Sequence, residues 1–567
     1  MPLPGFQAVV LCGPGLSLNP FTSNPEDFPK ALVPIANRPM VWYAIDWCYR
    51  MGITNITLIT PPSAAPPLEA ALSQNPHLTS LSTHKPALIS PVDLDLNTPT
   101  AAIFRLLEVK AAITGDFVVV PCDLVCDLPG EKLLSAWMVR QGTLGGKPIR
   151  PARIGVANDS SVSRIKGGEN SGRRGGMGVW YETIQPGEKP PKGAETDFII
   201  TASASPPAVP SPGTSLGSEI FEVCYACTTD TLRDNIADSA NNSFTVRSSL
   251  LRRHNGKINM RTTCRDAHIY IFPHWVLDFI ERNPRMEILS EDVLGWWGKA
   301  TWQSRKLARY LQLDKTLGWI HDDDKSGDHD DDDDGSPRQA GNGETQSIEK
   351  ELDILSLSST HTSSLTQPTN SSTSPKPTVP PILAYIHPPP SSTSALLLRV
   401  DNPSLLLSTS LALAALPPTS PTESQSAFAH ATKLHPSSPI PAHCTIDPLT
   451  VLLAPNTTLH PKTTIKSSCI GSACYISEKC RIERCLLMDG VVLEEGVSLA
   501  DCTLGPRAKV GKGSRLVGCS VQGGFVVEAG TESKGETMVG FEGLEEGENG
   551  ELGVDLDVGG DGQAMEI

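Results

Sequence analysis

The sequence predicts two architectures in one chain: an α/β domain built on a doubly wound parallel sheet and, after it, a parallel β-helix. Three observations carry this. Apolar strand runs alternate with helical stretches over residues 6–123, apolar residues recur every six positions over a later segment, and sequence of a different composition separates the two. A chain of 567 residues exceeds a single core; at roughly 100 to 200 residues per domain it divides into two to four units.

The first strand is "FQAVVLC" at 6–12, a short buried run, and Pro39 to Met51 follows with a helical pattern. "ITLIT" at 56–60 reads as a second strand, Ala101 to Ala112 as a helix, and "DFVVVPCD" at 116–123 as a third strand. Ligands of such sheets bind beyond the carboxyl ends of the strands. Gly13, Gly15 and Asp123 fall at those ends. Residues 142–220, rich in Gly, Ser and Pro, read as strands with long loops, and Ala267 to Glu281 as a strand followed by a helix. The expected boundaries are 1–319 for this domain, 320–380 for an acidic, Ser/Thr/Pro-rich disordered linker, and 381–444 for a connecting segment. The β-helix is expected at 445–540 and an acidic disordered tail at 541–567.

The β-helix follows from period. Ile470, Ile476, Ile482 and Met488 recur every six residues; after a slip of two, Leu504, Val510 and Leu516 resume it. Such a period is neither helical nor simply alternating, and matches a coil whose inward residues stack on those of the next. Gly471, Gly505 and Gly511 directly follow three of these positions and are expected to allow the corners. Cys469, Cys474, Cys480 and Cys485 are spaced too evenly for the close pairs of a zinc site and read as lining or corner residues.

Charge and composition exclude several classes. The formal charge of −16 is concentrated in two places: His321 to Gly335 holds nine Asp against one Lys, and residues 541–567 hold nine acids and no Lys or Arg. The remainder is close to neutral, so phosphate-backbone binding by a concentrated basic surface is not expected. Fourteen Cys in so long a chain do not form a small-domain disulfide framework, and no secretion segment is read at the N-terminus, so a reduced, cytosolic protein is expected. The most apolar later stretch, Ala395 to Leu416, is interrupted by Arg399, Asp401, Asn402 and Pro403 and is too broken to span a membrane.

The opening stretch "CGPGLSLNPFT" followed by "PKALVPI" resembles the nucleoside-diphosphate-sugar pyrophosphorylases. Their glycine loop approaches a triphosphate, an Arg neutralises the departing pyrophosphate, and an Asp after a later strand holds Mg²⁺. By position, Gly13, Gly15, Leu18, Pro20, Thr22, Pro29, Lys30 and Pro34 match, and Asp123 matches the metal-binding Asp. Cys12 stands where the family has its first Gly, Ser17 where it has the Arg, and Cys122 where a Gly precedes the Asp. A side chain at position 12 crowds the loop, and Ser17 carries no charge; loss of one preorganised donor typically costs about 2.7 to 4 kcal/mol. "EKP" at 188–190 mimics a second family motif. Gly13, Gly15, Lys30 and Asp123 are thus expected to be a vestigial nucleotide site, with no catalytic residue, no metal and no cofactor.

Later stretches narrow the resemblance. "LRRHNGKINMRTTCRDAHIYIFPHWVLDFI", "ILSEDVLGWWGKATWQ", "TTIKSSCIGSACYISEKCRIERCLLMDGVVLEEGV" and "GCSVQGGFVVEAGTESKGE" look like the family of gamma subunits of translation initiation factor 2B. That resemblance implies a nucleotidyltransferase-like domain followed by a left-handed β-helix. It also implies a non-catalytic subunit that works with the epsilon subunit and the other subunits of initiation factor 2B on initiation factor 2. In that family guanine-nucleotide exchange resides in a C-terminal helical-repeat domain of epsilon, which the 27 residues after Gly540 are not expected to form. The alternative is a Mg²⁺-dependent sugar-1-phosphate nucleotidyltransferase.

Overall fold

The computed structural model describes residues 5–13, 16–82, 84–95, 97–144, 175–183, 195–204, 216–239, 241–317, 379–389, 395–418 and 426–540. The acidic run at 321–335, most of the expected linker, and the tail at 541–567 lie outside them.

Nine strands form the N-terminal sheet. One half is parallel: Ala87–Ile89, Ile56–Ile59, Gln7–Leu11 and Phe117–Pro121 lie side by side in that order. The other half departs from the expected all-parallel sheet. Ile258–Phe272 runs antiparallel beside Phe117–Pro121, followed by Met177–Glu182, Leu383–His387, Ile220–Thr228 and Asp197–Ser203. Ile258–Phe272 is long enough to reach the far edge as well, where Ile258–Arg261 pairs antiparallel with Ile199–Ala202.

Alternation along Gln7–Leu11 divides the apolar side chains between two cores. Ala8 and Val10 join the layer of the helix Met40–Arg50, while Val9 joins the layer of the helices Trp275–Arg282 and Leu294–Trp302. The expected continuous helix from Ala101 to Ala112 is two short ones, Thr100–Ile103 and Leu107–Ala112.

The stretch expected to be a mere connection is part of the sheet. Leu383–His387 pairs along its whole length with Met177–Glu182 and through Leu383, Ala384 and Tyr385 with Ile220–Thr228, and Leu397–Arg399 pairs with Leu124–Cys126. The apolar run after it becomes the helix Pro403–Ala415, whose N-cap Asn402 accepts a hydrogen bond from Leu405 N at 2.8 Å. Ser404, Ser408, Ala412 and Ala415 form an exposed stripe of small residues, and Leu406, Leu413 and Ala414 are buried on the other side. The helix packs between the α/β domain, where Ala36 N donates to Ser410 Oγ, and the β-helix, where the Cys469 thiol donates to Ser410 O.

Three stacks of short parallel strands make up the C-terminal region and fit a left-handed β-helix. Each coil is seventeen residues, as in the ladder Ile465, Ile482, Leu499, Leu516. The inward residues therefore step by six, six and five. Leu487, not Met488, stacks between Ile470 and Leu504. Met488 is turned outward and buried against the α/β domain instead. Gly471, Gly505 and Gly511 also do a different job from the one expected. None has positive φ; a Cβ on Gly511 would come within 2.6 Å of Ala529 N in the next coil. The corners themselves use left-handed residues such as Asn456, Lys479, Arg507, Gly513 and Gly530. Cys474, Cys480 and Cys485 line the coil interior, while Cys469 faces outward into the shared core.

Val510 is fully buried among these stacked side chains. Val510→Asp places an unpaired carboxylate there and is expected to destabilise the β-helix by about 4 kcal/mol or more. Urea unfolding of the purified variant measures this, and a midpoint equal to that of the natural chain would contradict the assigned register.

Candidate functional site

A cavity of about 200 Å³ opens beyond the carboxyl ends of Gln7–Leu11, Ile56–Ile59 and Phe117–Pro121, and Cys12, Gly13, Lys30, Asp123, His268 and Arg399 are among the residues lining it. Asp123 is its buried centre. Two separate stretches of chain bring cations to it.

Lys30 opens the 3₁₀ turn Lys30–Leu32, held in place by Pro29 before it, and its Nζ donates to Asp123 Oδ2 at 2.7 Å. Arg399 ends the strand Leu397–Arg399, whose register sets it opposite Leu124, the residue after Asp123. Arg399 Nε donates to Asp123 Oδ1 and Nη2 to Oδ2, both at 3.2 Å. The backbone joins the same contact through Val400 N to Asp123 O at 2.8 Å. Burial alone would push the Asp123 carboxyl up. Arg399 and then Lys30 outweigh burial and hold it far below the ordinary carboxylate range. The network continues outward, with Arg265 Nη2 donating to Asp401 Oδ2 at 2.5 Å and to Glu195 Oε2 at 3.1 Å.

The other expected residues are placed as follows. Gly13 lines the cavity with open space where a side chain would be, and Gly15 lies outside the described residues. Cys12 and Cys122 are both buried and both line the cavity. Ser17 is exposed on the turn Leu16–Leu18 and does not line it. The stretch "EKP" at 188–190 is outside the described residues.

Sequence reasoning missed two members. Arg399 was visible only as a charge interrupting an apolar run. His268 enters through a bulge: pairing with Met177–Glu182 skips from Asp266 to Ile269, and His268 takes φ of 52°. Burial first, then Arg399, pushes its imidazole well below the usual range, so it sits in the cavity neutral.

Mg²⁺, which the pyrophosphorylase resemblance implies, does not fit the residues as arranged. Such an ion needs carboxylate oxygens at about 2.0 to 2.1 Å in near-octahedral geometry. Both oxygens of Asp123 already accept charged N–H groups, and a guanidinium stands beside them. The cavity is also below the roughly 300 to 1,000 Å³ of ordinary small-molecule sites.

Against this geometry, two likenesses bear on the chain. A family model described as the GMPPB C-terminal domain matches residues 448–533, which lie within the β-helix. Translation initiation factor eIF2B subunit gamma of Schizosaccharomyces pombe is 27% identical over 298 residues, 53% of this chain. The chain is similar to an eIF2B gamma subunit. It spans about half the length of that eIF2B gamma protein, 52%. That similarity is to a translation initiation factor subunit, and the stacked parallel strands agree with the GMPPB C-terminal match. No helix among the described residues is long and apolar enough to cross a membrane.

Behind His268, Asp266 is buried beside Asp197; it accepts from Tyr270 Oη at 2.5 Å, and its own N donates to Asp197 Oδ2 at 2.6 Å. Burial, then Asp197, raises Asp266 to about 7, and burial raises Asp197 to about 6. The folded protein thus holds these protons at a pH where the unfolded chain has released them. Stability from this pair is fully present below about pH 4 and is lost as pH rises to about 7, an effect on the order of a few kcal/mol. Urea midpoints at pH 5 and pH 7.5 are expected to differ in that direction, and Asp266→Asn is expected to reduce the difference. An undiminished difference in the variant would assign it to other groups.

Proposed function

We propose that this chain is a non-catalytic structural and regulatory subunit of the complex that exchanges GDP for GTP on translation initiation factor 2. It acts in the cytosol with an epsilon subunit and the other subunits of initiation factor 2B. The observation that carries the non-catalytic part is the closure of Asp123 by Lys30 and Arg399. The similarity to an eIF2B gamma subunit supports the assembly.

In this reading the α/β domain is nucleotidyltransferase-like by descent. Gly13 and Lys30 retain positions of a nucleotide site, while Cys12, Ser17 and Arg399 remove its chemistry. Lys30 and Arg399 are both engaged by Asp123, so without Mg²⁺ there and without a cation at position 17 no uncommitted cation lines the cavity among the described residues to stabilise a departing pyrophosphate. The domain's work is then to present surfaces, and the helix Pro403–Ala415 holds it against the β-helix as one unit for other subunits to bind.

The competing reading is a sugar-1-phosphate nucleotidyltransferase, favoured only by the GMPPB-like C-terminal domain. Two measurements separate them. Purified chain with GTP or ATP, mannose- or glucose-1-phosphate and Mg²⁺ is expected to release no pyrophosphate above blank; steady release would overturn the non-catalytic reading. Affinity purification from the native cell is expected to recover initiation factor 2B and factor 2 subunits, and recovery of neither would overturn the assembly. Arg399→Met adds a direct check on the closed carboxylate. Removing one partner of a buried pair typically costs about 3 to 5 kcal/mol. Mn²⁺ titration is expected to give binding in Arg399→Met and none in the natural chain, and Asp123-dependent binding by the natural chain would contradict the closure.

A further inference from the structure

Two thiols that the proposed function does not use face each other across neighbouring strands of the cavity floor. We propose that Cys12 and Cys122 are a reversible oxidation site, closing a disulfide between the two strand ends when a hydroperoxide enters the cavity. The inference is independent of the subunit reading and rests on register.

Gln7–Leu11 and Phe117–Pro121 are parallel, with Ala8 opposite Val118 and Val10 opposite Val120. All four of these residues are buried in the same core layer. Two residues further along each strand stand Cys12 and Cys122, buried in that same layer and therefore opposite one another on the same face. Cys122 N donates to Leu11 O at 3.1 Å, so the pairing persists to this point. Paired strands lie about 4.8 Å apart, inside the 4.4 to 6.8 Å between Cα atoms that a disulfide spans. The two thiols perturb each other, Cys122 being the first cause that raises the Cys12 thiol and Cys12 the first that lowers Cys122. Both residues line the cavity, whereas Cys48 and Cys126, buried in the same layer, do not. A small reagent thus reaches this pair without unfolding the domain.

The chemistry balances with the hydroperoxide as the sole oxidant. The Cys122 sulfur attacks one peroxide oxygen and the O–O bond breaks. An alcohol, or water from hydrogen peroxide, leaves with the Cys122 proton, and Cys122 becomes a sulfenic acid. The Cys12 sulfur then attacks the Cys122 sulfur, the S–O bond breaks, and water leaves with the Cys12 proton. Two thiols have lost two electrons and two protons, and one peroxide bond has been reduced. The product ties residue 12, at the start of the glycine turn, to residue 122, beside the closed carboxylate.

The test uses the full chain and hydrogen peroxide at a dose that leaves its far-UV circular dichroism unchanged. After alkylation under denaturing conditions and digestion, mass spectrometry is expected to find the Cys12 and Cys122 peptides linked, and separated again by dithiothreitol. Cys48 and Cys126 are expected to stay alkylated. In Cys12→Ser, oxidation of Cys122 is expected to stop at a sulfenic acid that dimedone traps. Free, alkylated Cys12 and Cys122 in the treated natural chain would overturn the proposal, as would linkage of either to a different cysteine. The natural chain alone decides the matter if the variant does not fold.

Discussion

A carboxylate buried at the end of a strand has to be met by positive charge, and Asp123 is met twice. The desolvation of a buried carboxylate is severe, and only good geometry and saturated acceptors offset it. Lys30 supplies one donor from the segment that follows the first strand. Arg399 supplies two, from 276 residues further along the chain. That second partner brings the late segment back onto the early domain. Leu397–Arg399 is zipped to Leu124–Cys126 and Val400 N is bound to Asp123 O, so Asp401 and Asn402 are fixed in turn. Asp401 takes Arg265, and Asn402 caps the helix that carries the β-helix.

Where the β-helix sits follows from that helix. Pro403–Ala415 shows only a narrow stripe of small residues, Ser404, Ser408, Ala412 and Ala415, to solvent. Its two flanks are taken by the α/β domain and by the outer faces of the first coils, where Cys469, Leu486 and Met488 join the core of the α/β domain. Polar ties run alongside: Asn37 Nδ2 donates to Ile470 O at 2.9 Å, and Arg38 donates to Phe428 O and Ala429 O at 2.8 and 3.1 Å. The hairpin that presents Asn37 and Arg38 turns on Ala36 and Asn37 at positive φ. The two regions are therefore joined across their junction by shared apolar packing and by backbone-directed hydrogen bonds.

Much of this was legible in the residues, and what was not has a physical reason. Local period revealed the parallel strands and the hexad, because side-chain alternation and coil stacking are written at short range. The step of five was harder, since Leu487 and Met488 are both apolar and only the coil-to-coil register tells which points inward. Along the sequence, Arg399, Asp401, Asn402 and Pro403 only interrupt an apolar run. They are in fact an ion partner for Asp123, an ion partner for Arg265, a helix cap and a first helical residue. A charge next to an apolar strand has meaning only with its partner, and nothing local in the sequence links position 399 to position 123. Leu383–His387 was missed as a strand of the sheet for the same reason: its neighbours, Met177–Glu182 and Ile220–Thr228, are remote in sequence.

The departures at the glycine turn also change meaning when placed in space. Read along the chain, Cys12 and Cys122 are two separate losses of glycine, each crowding a backbone that would otherwise approach phosphate. In the sheet they occupy one spot, opposite each other on adjoining strands, filling the same gap between strand ends. Asp123 and Arg399 fill the next gap along. The small cavity, the two thiols and the carboxylate closed by Lys30 and Arg399 thus belong to one packed arrangement. On the proposed non-catalytic reading, an arginine at position 17 would not by itself open that carboxylate to a metal, because Lys30 and Arg399 would both have to leave Asp123.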